Sequence, residues 1–377
     1  MSEPIAFSRP EILADDIDAV TRVLSSGWIT TGNEVKTFEH ELAEFVGVDH
    51  VVTVSSATTA EEICLAYLNL EPGSRVAVPT WTFVSTALAV ERVGCVPVLV
   101  DVDHDTLNIS EPHLGDAIDS GVRAVVGVHY GGTPLAASTR QMCADAGLPL
   151  VEDAAHAFGS RDDRGWVAGQ GTAGACYSFY ATKNLTTGEG GAIATDDADL
   201  AAFALKYRLH GMSADAVNRY ARPGAHSYDV TVPGLKANMP DLLAALGRTQ
   251  LARFPQSQKH RRELVLRYRE LLGDTGLRFV PGEHCADSAD HLAVIDVGSS
   301  DRRDAVILAL TEAEIGSSVH FRPLHTFSWY DGQNAEIAPG GLNVADSLDG
   351  QIMSLPLHVG MSVEDVERVC QVAKKAL

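Results

Sequence analysis

The sequence predicts a large α/β domain followed by a smaller α+β domain. Three observations carry that expectation. Short, nearly all-apolar runs recur through the first 200 residues, and helix-like stretches lie between most of them. Beyond residue 200 the alternation gives way to a long helical pattern and two further strand-like runs. Strands that are apolar on both sides and joined by helices imply a mostly parallel sheet covered on both faces.

The elements follow in order. VKTFEHELAEFVG places Val35, Phe38, Leu42, Phe45 and Val46 on one helical face and stops at Gly47. Strand-like runs then appear at HVVTV, RVAVP, VPVLVDV, RAVVGVHY, LPLVED, ACYSFY and GAIAT, so the expected sheet has about seven strands before residue 200. TFVSTALAVERVG and TRQMCADAGL read as helices between strands. LAALGRTQLARFPQSQKHRRELVLRYRELLG reads as a long helix interrupted at Pro255, and HLAVIDVG and GSSVHFRP as strands of the smaller unit. The expected boundary lies near residue 250, which divides the chain into residues 1–250 and 251–377.

Composition narrows the function classes. The chain has 377 residues, 45% hydrophobic and 21% charged, the balance of an ordinary globular protein with a sizeable core. A net charge of −21 without a basic stripe argues against a nucleic-acid partner. An anionic ligand would need local donors such as backbone N–H groups. The six cysteines are scattered without a C-x-x-C spacing, as expected of core residues in a reducing compartment. The N-terminal stretch lacks a charged segment followed by an apolar one, and no apolar run reaches membrane-spanning length. A cytoplasmic location is expected. The histidines show no metal-ligand spacing, and no metal is expected.

In open α/β sheets ligands collect at the carboxyl ends of the strands. LPLVED ends in Glu152 and Asp153, followed by Ala154, Ala155 and His156. HVVTV leads into SSATTA, where small and hydroxylated residues at a helix start would expose backbone N–H groups to a phosphate. RVAVPTWTF leads to Trp81 and Phe83, either of which could pack in the core or stack on a flat ring. ACYSFY carries Ser178 and leads to Lys183. GQGTAG, Gly169 to Gly174, matches G-x-G-x-x-G, but a strand-like run follows it where a dinucleotide fold needs a helix. It reads as a glycine-rich turn. H-E-x-x-H, G-x-S-x-G and P-loop motifs are absent. A phosphate cradle, an acid, a flat aromatic and a lysine at different strand ends of one sheet are the parts that pyridoxal 5′-phosphate (PLP) needs.

The sequence resembles the DegT–StrS family of PLP-dependent sugar-nucleotide aminotransferases along nearly its whole length. The landmarks are FSRP, SGWITTG, VSSAT, VDVDHDTLNIS, VHYGG, VEDAAHAFGS, SFYATKN, GEGGAI, LHGMSADAVNRY, HFRPLHT and SLPLH. The resemblance implies PLP fold type I, the aspartate-aminotransferase fold, and transfer of an amino group from L-glutamate by way of PLP and pyridoxamine 5′-phosphate. SGWITTG, VSSAT and HFRPLHT look most like enzymes that aminate C4 of a nucleotide-linked 4-keto sugar, of the type that forms UDP-4-amino-4-deoxy-L-arabinose.

Roles carry over at matching positions. Lys183 is implied as the Schiff-base lysine, Asp153 as the partner of the pyridine nitrogen, and His156 as a neighbour of the ring and its 3′ oxygen. Ser178 and the backbone of Ala57 and Thr58 would hold the phosphate. Phe83, ahead of Trp81, would stack on the ring. Asn238 would reach the phosphate of a neighbouring subunit, which implies a homodimer with shared sites. Trp28, Ile29, Thr30, His320, Phe321, Arg322 and His325 match segments that line the sugar-nucleotide site. Two departures stand out. Ser56-Ala57 replaces the Gly-Thr of many relatives, a change that a phosphate held by backbone amides tolerates. Pro240 replaces an arginine, so that contact is not assigned. The relatives that remove the C3 hydroxyl carry histidine in place of the lysine, and Lys183 argues against that reaction. A non-catalytic regulator fits poorly with Lys183, Asp153 and Ser178 all present. An aminotransferase acting at C3 or on a keto-cyclitol remains the rival.

Overall fold

The computed structural model describes residues 3–212 and 229–377. The landmark LHGMSADAVNRY extends beyond the described residues from residue 213 onward. All seven expected strands form: β1 His50–Val54, β2 Arg75–Pro79, β3 Val96–Val100, β4 Ala124–Val128, β5 Leu150–Asp153, β6 Ala175–Ser178 and β7 Gly191–Thr195. Their order across the sheet is β1-β7-β6-β5-β4-β2-β3. Neighbours from β3 to β6 run parallel, whereas β7 is antiparallel to both β6 and β1. The fold is therefore α/β, with a large, mostly parallel sheet.

The apolar runs are explained by burial on both faces. Val76 and Val78 point to one side and pack with Ile63, Cys64 and Leu65 of helix Ala57–Tyr67 and with Ala87 and Val90 of helix Ser85–Arg92. Ala77 points the other way, among Leu114, Ala117 and Cys143. Farther along that second face, Phe38 and Leu42 of helix Asn33–Val46 meet Ala244 and Leu251 over β6 and β7. All six cysteines are free, and all but Cys285 are buried.

A second sheet is formed by β8 Arg278–Val280, β9 Ala293–Asp296 and β11 Ile352–Leu355, in the antiparallel order β11-β9-β8. Helices Ser300–Glu312 and Val363–Ala376 cover it through Val306, Leu310, Val366 and Val369. The two ends of the chain meet here: Ile5 lies in the same core, and its N–H donates to the Glu314 carbonyl at 3.0 Å.

Three expectations are corrected. Helix Asp241–Leu272 is continuous through Pro255. Proline removes one N–H and crowds the carbonyl four residues earlier, but Leu251 and Phe254 before it and Leu264, Val265 and Tyr268 after it are anchored in separate cores. Residue 250 thus falls inside a helix that serves both sheets. GSSVHFRP is irregular and keeps only an isolated bridge between Ser318 and Ser354. The His320 carbonyl accepts from the Trp81 indole at 3.3 Å and from the Tyr130 hydroxyl, which replaces strand pairing. The large sheet also gains an eighth strand, β10 Glu336–Ile337, parallel to β3 at its edge. Two exposed residues leave no periodicity to read. Among the described residues no helix is long and apolar enough to cross a membrane.

Phe38 joins helix to sheet. Its ring lies 5.7 Å from that of Phe179, and a Cβ added at Gly247 would come within 2.5 Å of it. Phe38→Ala should therefore cost about 3–5 kcal/mol, read as a lower midpoint in denaturant unfolding followed by circular dichroism. An unchanged midpoint would mean that this seam does not contribute to cooperative unfolding.

Candidate active site

A cavity of about 520 Å³ opens where β5 and β6 end and helix Ala57–Tyr67 begins. Asp153, His156, Ser178, Lys183, Ala57, Thr58, Phe83, His320 and Phe321 all line it. Nine positions spread over 265 residues of sequence are brought together, most of them because parallel strands deliver their carboxyl ends to one side of the sheet, and His320 and Phe321 by the irregular segment that Trp81 and Tyr130 hold.

The helix start forms one wall. Ser56 caps it, its hydroxyl accepting from the Thr59 N–H at 3.1 Å. The first amides of a helix have no intrahelical partner, so Ala57 and Thr58 present donors at the positive end of the helix dipole. Gly191 at the start of β7 is required here. A Cβ at that position would lie 2.4 Å from the Ser56 carbonyl carbon and 2.6 Å from the Ala57 nitrogen. Ser178, at the end of β6, adds a hydroxyl.

Adjacent residues of β5 point to opposite faces, so Glu152 and Asp153 have different surroundings. Glu152 faces away from the cavity. Its carboxylate accepts from Arg140 Nε at 2.8 Å, from the Gly169 N–H at 2.7 Å and from the Thr172 hydroxyl at 3.0 Å. Burial works against its charge, but the hydrogen bond and charge of His129 and the charge of Arg140 bring its pKa down to about 2. The G-x-G-x-x-G stretch is accordingly a turn that anchors Glu152. Asp153 faces the cavity. Its Oδ2 accepts from the Thr86 hydroxyl at 3.0 Å and its Oδ1 from the Ala155 N–H at 3.0 Å.

Lys183 follows β6 on a turn closed by its own N–H to the Tyr180 carbonyl at 2.9 Å. Burial lowers its amine to about 8, against the opposing influence of the Asp153 charge. Three imidazoles surround it. Burial and then the Lys183 charge hold His156 well below its ordinary value and His320 at about 4. Nδ1 of His156 accepts from the Gly131 N–H at 3.3 Å, which leaves Nε2 to carry the proton of the neutral ring. That ring stacks on Phe321, with centroids 5.7 Å apart, and lies 4.5 Å from His291. Phe83, 54% exposed, stands at the mouth 5.8 Å from Phe321.

Other positions singled out in the sequence lie outside this cavity. Trp81 is in the core. Trp28 and Ile29 are exposed, and the Thr30 carbonyl accepts from the Asp241 N–H. Asn238 donates to the Thr31 hydroxyl at 2.5 Å. Arg322 is exposed over the Phe327 ring. His325 lies between Thr80 and Asp346, 2.8 Å from each. Sequence reasoning missed Glu61, Thr86 and His291 within or behind the cavity wall. Only Glu61 had a readable signal, as an acidic residue three and four positions before the apolar Cys64 and Leu65 on one helical face.

Amide and hydroxyl donors, a fixed carboxylate, aromatic rings and an amine of lowered basicity together fit PLP. The model of the DegT/DnrJ/EryC1/StrS aminotransferase family matches residues 10–374. The chain is similar to Spr1654 from Streptococcus pneumoniae, described as a sugar aminotransferase and solved in its PMP form. The two are 29% identical, with 99% of this chain and 98% of that one covered and a TM-score of 0.89. The PLP form of the same protein superposes with a TM-score of 0.88. The aminotransferase TlmJ from Streptoalloteichus hindustanus is 31% identical over 99% of both chains, with a TM-score of 0.89. DesI, solved in the presence of its TDP-sugar product, is 28% identical over 100% of this chain and 93% of its own, with a TM-score of 0.85. The likeness runs along nearly the whole chain, and the chain belongs to the DegT/DnrJ/EryC1/StrS aminotransferase family, whose members depend on PLP.

Proposed function

We propose that the protein transfers an amino group from L-glutamate to the C4 keto group of a dTDP- or UDP-linked 4-keto-6-deoxy sugar. The products are a 4-amino sugar nucleotide and 2-oxoglutarate. The observation that carries the reading is an amine lowered to about 8, in one cavity with a fixed carboxylate and an open helix N-terminus. The C4 assignment draws support from SGWITTG, VSSAT and HFRPLHT. The nucleotide-sugar assignment draws support from likeness to DesI.

PLP, when bound, supplies an electron sink for a carbanion at the carbon that bears nitrogen. The chain supplies the rest. The Ala57 and Thr58 amides and the Ser178 hydroxyl hold the phosphate. Phe83, at the mouth of the cavity, would cover one face of the ring. Asp153, held by the Thr86 hydroxyl and the Ala155 N–H, would be the partner that favours a protonated ring nitrogen. His156, neutral, would have its Nε2–H free to donate to the ring oxygen. Lys183 is the covalent anchor and then the proton carrier: near pH 8 its amine is poised between base and acid, so it can take a proton at one carbon and return it at another. His320 and Phe321 line this chain's share of the sugar-nucleotide site, and Ile29, Thr30, Arg322 and His325, which lie outside the cavity, are assigned to the same sugar-nucleotide site by the resemblance of their segments. Because Asn238 and Trp28 stand outside their own chain's cavity, we assign them to a neighbouring subunit's site in a homodimer with shared sites.

Three measurements test this reading. Purified protein loaded with PLP should lose its visible band when L-glutamate is added and regain it with a dTDP- or UDP-4-keto sugar, the product carrying nitrogen at C4 by NMR. Turnover confined to 3-keto sugars or keto-cyclitols would replace the C4 assignment. Lys183→Ala should lower turnover by about 10²–10⁴-fold or more while PLP still binds without a covalent bond, and Asp153→Ala should lose most activity. Comparable turnover in either variant would remove that residue from the mechanism. The rate of PLP incorporation should rise about tenfold per pH unit below pH 8 and level off above it, because only the uncharged amine attacks and burial favours that form. A rate still climbing at pH 10 would return Lys183 to an ordinary lysine.

A further inference from the structure

Behind Asp153 lies a second carboxyl that none of these roles uses. Glu61 sits on the buried face of helix Ala57–Tyr67, four residues after its start. It is 1% exposed and borders the cavity. Neither of its oxygens has a hydrogen-bond partner among the described residues, and no cation is ion-paired with it there. Its neighbours are the Asp153 carboxyl on β5, the Ser85 hydroxyl on the next helix and the Cys64 thiol on its own helix. From β6, Cys176 approaches, with its Sγ 3.8 Å from that of Cys64. Lys183, the cation near this group, acts on Asp153.

Two adjacent buried carboxyls cannot both ionise cheaply, because each loses hydration and repels the other. Asp153 accepts two hydrogen bonds and faces an amine, all of which favour its charge. The Ser85 hydroxyl favours the Glu61 charge, but burial followed by the Asp153 charge outweighs it and raises its pKa well above the ordinary glutamate value. The proton therefore belongs on Glu61. A protonated carboxyl has one O–H to donate, and the Asp153 carboxylate is the charged acceptor beside it.

We propose that Glu61 is a positioning residue that stays a neutral acid and donates its O–H to Asp153, the pair sharing one proton and the bond holding the Asp153 carboxylate toward the cavity. The role rests on Asp153 as partner of the cofactor's ring nitrogen. The proton's location does not, so it is tested on unliganded protein.

Wild type should show the infrared band of a protonated carboxylic acid at pH 8, and Glu61→Gln should lack it. The folded chain keeps a proton that the unfolded chain releases above about pH 4.5. Wild-type stability should therefore fall, relative to Glu61→Gln, by about tenfold in the folding constant per pH unit from that value up to the raised value of the folded state. Absence of the band, or a difference between the proteins that does not change with pH, would overturn the proposal. With PLP, Glu61→Gln should retain cofactor affinity within about threefold, since its amide also donates. Glu61→Leu fills the space without a donor and should bind about tenfold more weakly. Equal affinity in the two variants would reduce Glu61 to packing, and equal loss would mean that an ionised carboxylate is needed; either overturns the role. The Glu61→Gln comparison stands by itself if Glu61→Leu does not fold. If wild type binds no PLP, the proposed function falls, while the infrared and stability measurements still decide where the proton resides.

Discussion

Glu152 carries a buried negative charge that separate parts of the chain must neutralise. His129 reaches it from the end of β4, Arg140 from helix Ala137–Asp145, and Gly169 and Thr172 from the turn before β6. Arg140 in turn holds Asp162 at 2.6 Å. A buried charge left without partners costs several kcal/mol, so these segments must dock together or not at all. The result is a clamp on β5 from one face of the sheet. The strand's pleat then turns Asp153 to the opposite face, where Thr86 and Ala155 receive it. The structural carboxylate and the cavity carboxylate are neighbours in sequence that do not compete, because one peptide unit separates the two faces.

Burial governs the protonation states inside the cavity. It lowers Lys183 to about 8 and keeps His156, His291 and His320 uncharged, because each of these cations would lose hydration there. The Lys183 charge adds to the effect on all three imidazoles. Asp153 accepts from the Thr86 hydroxyl and the Ala155 N–H, whereas burial and the Asp153 charge raise Glu61. One apolar environment thus yields an amine ready to act as a base and neutral imidazoles that can donate a hydrogen bond, beside a carboxylate held by two donors. The same side chains on the surface would have none of these assignments.

The helix Ala57–Tyr67 ties these features to the fold. Its first amides face the cavity, its next turn carries Glu61, and Ile63, Cys64 and Leu65 pack into the core of the large sheet. Gly191 lets β7 pass directly beneath its start. The wall that offers donors to an anion is therefore as rigid as the core itself. The loop of Lys183 is anchored nearby, with Asn184 donating to the Ala289 carbonyl at 2.6 Å and meeting the His291 ring at 2.8 Å.

The seven strands of the large sheet, its parallel character and the segments that carry Lys183, Asp153 and Ser178 were legible in the residues. Period and burial are local: a strand covered on both faces must be apolar throughout, and a cap or a turn is written in a few neighbours. Tertiary structure decided the rest. Helix Asp241–Leu272 runs through Pro255 because distant cores hold both of its halves. GSSVHFRP is not a strand because Trp81 and Tyr130, far away in sequence, take the His320 carbonyl. His291 reaches His156 across 135 residues, and nothing around it announces that contact. Glu61 showed its burial in its helical spacing, but only the packing of helix against β5 brought it to Asp153. Sequence determined which groups exist and which way each element faces. Only long-range packing decided which groups meet, and with it which of them hold a proton.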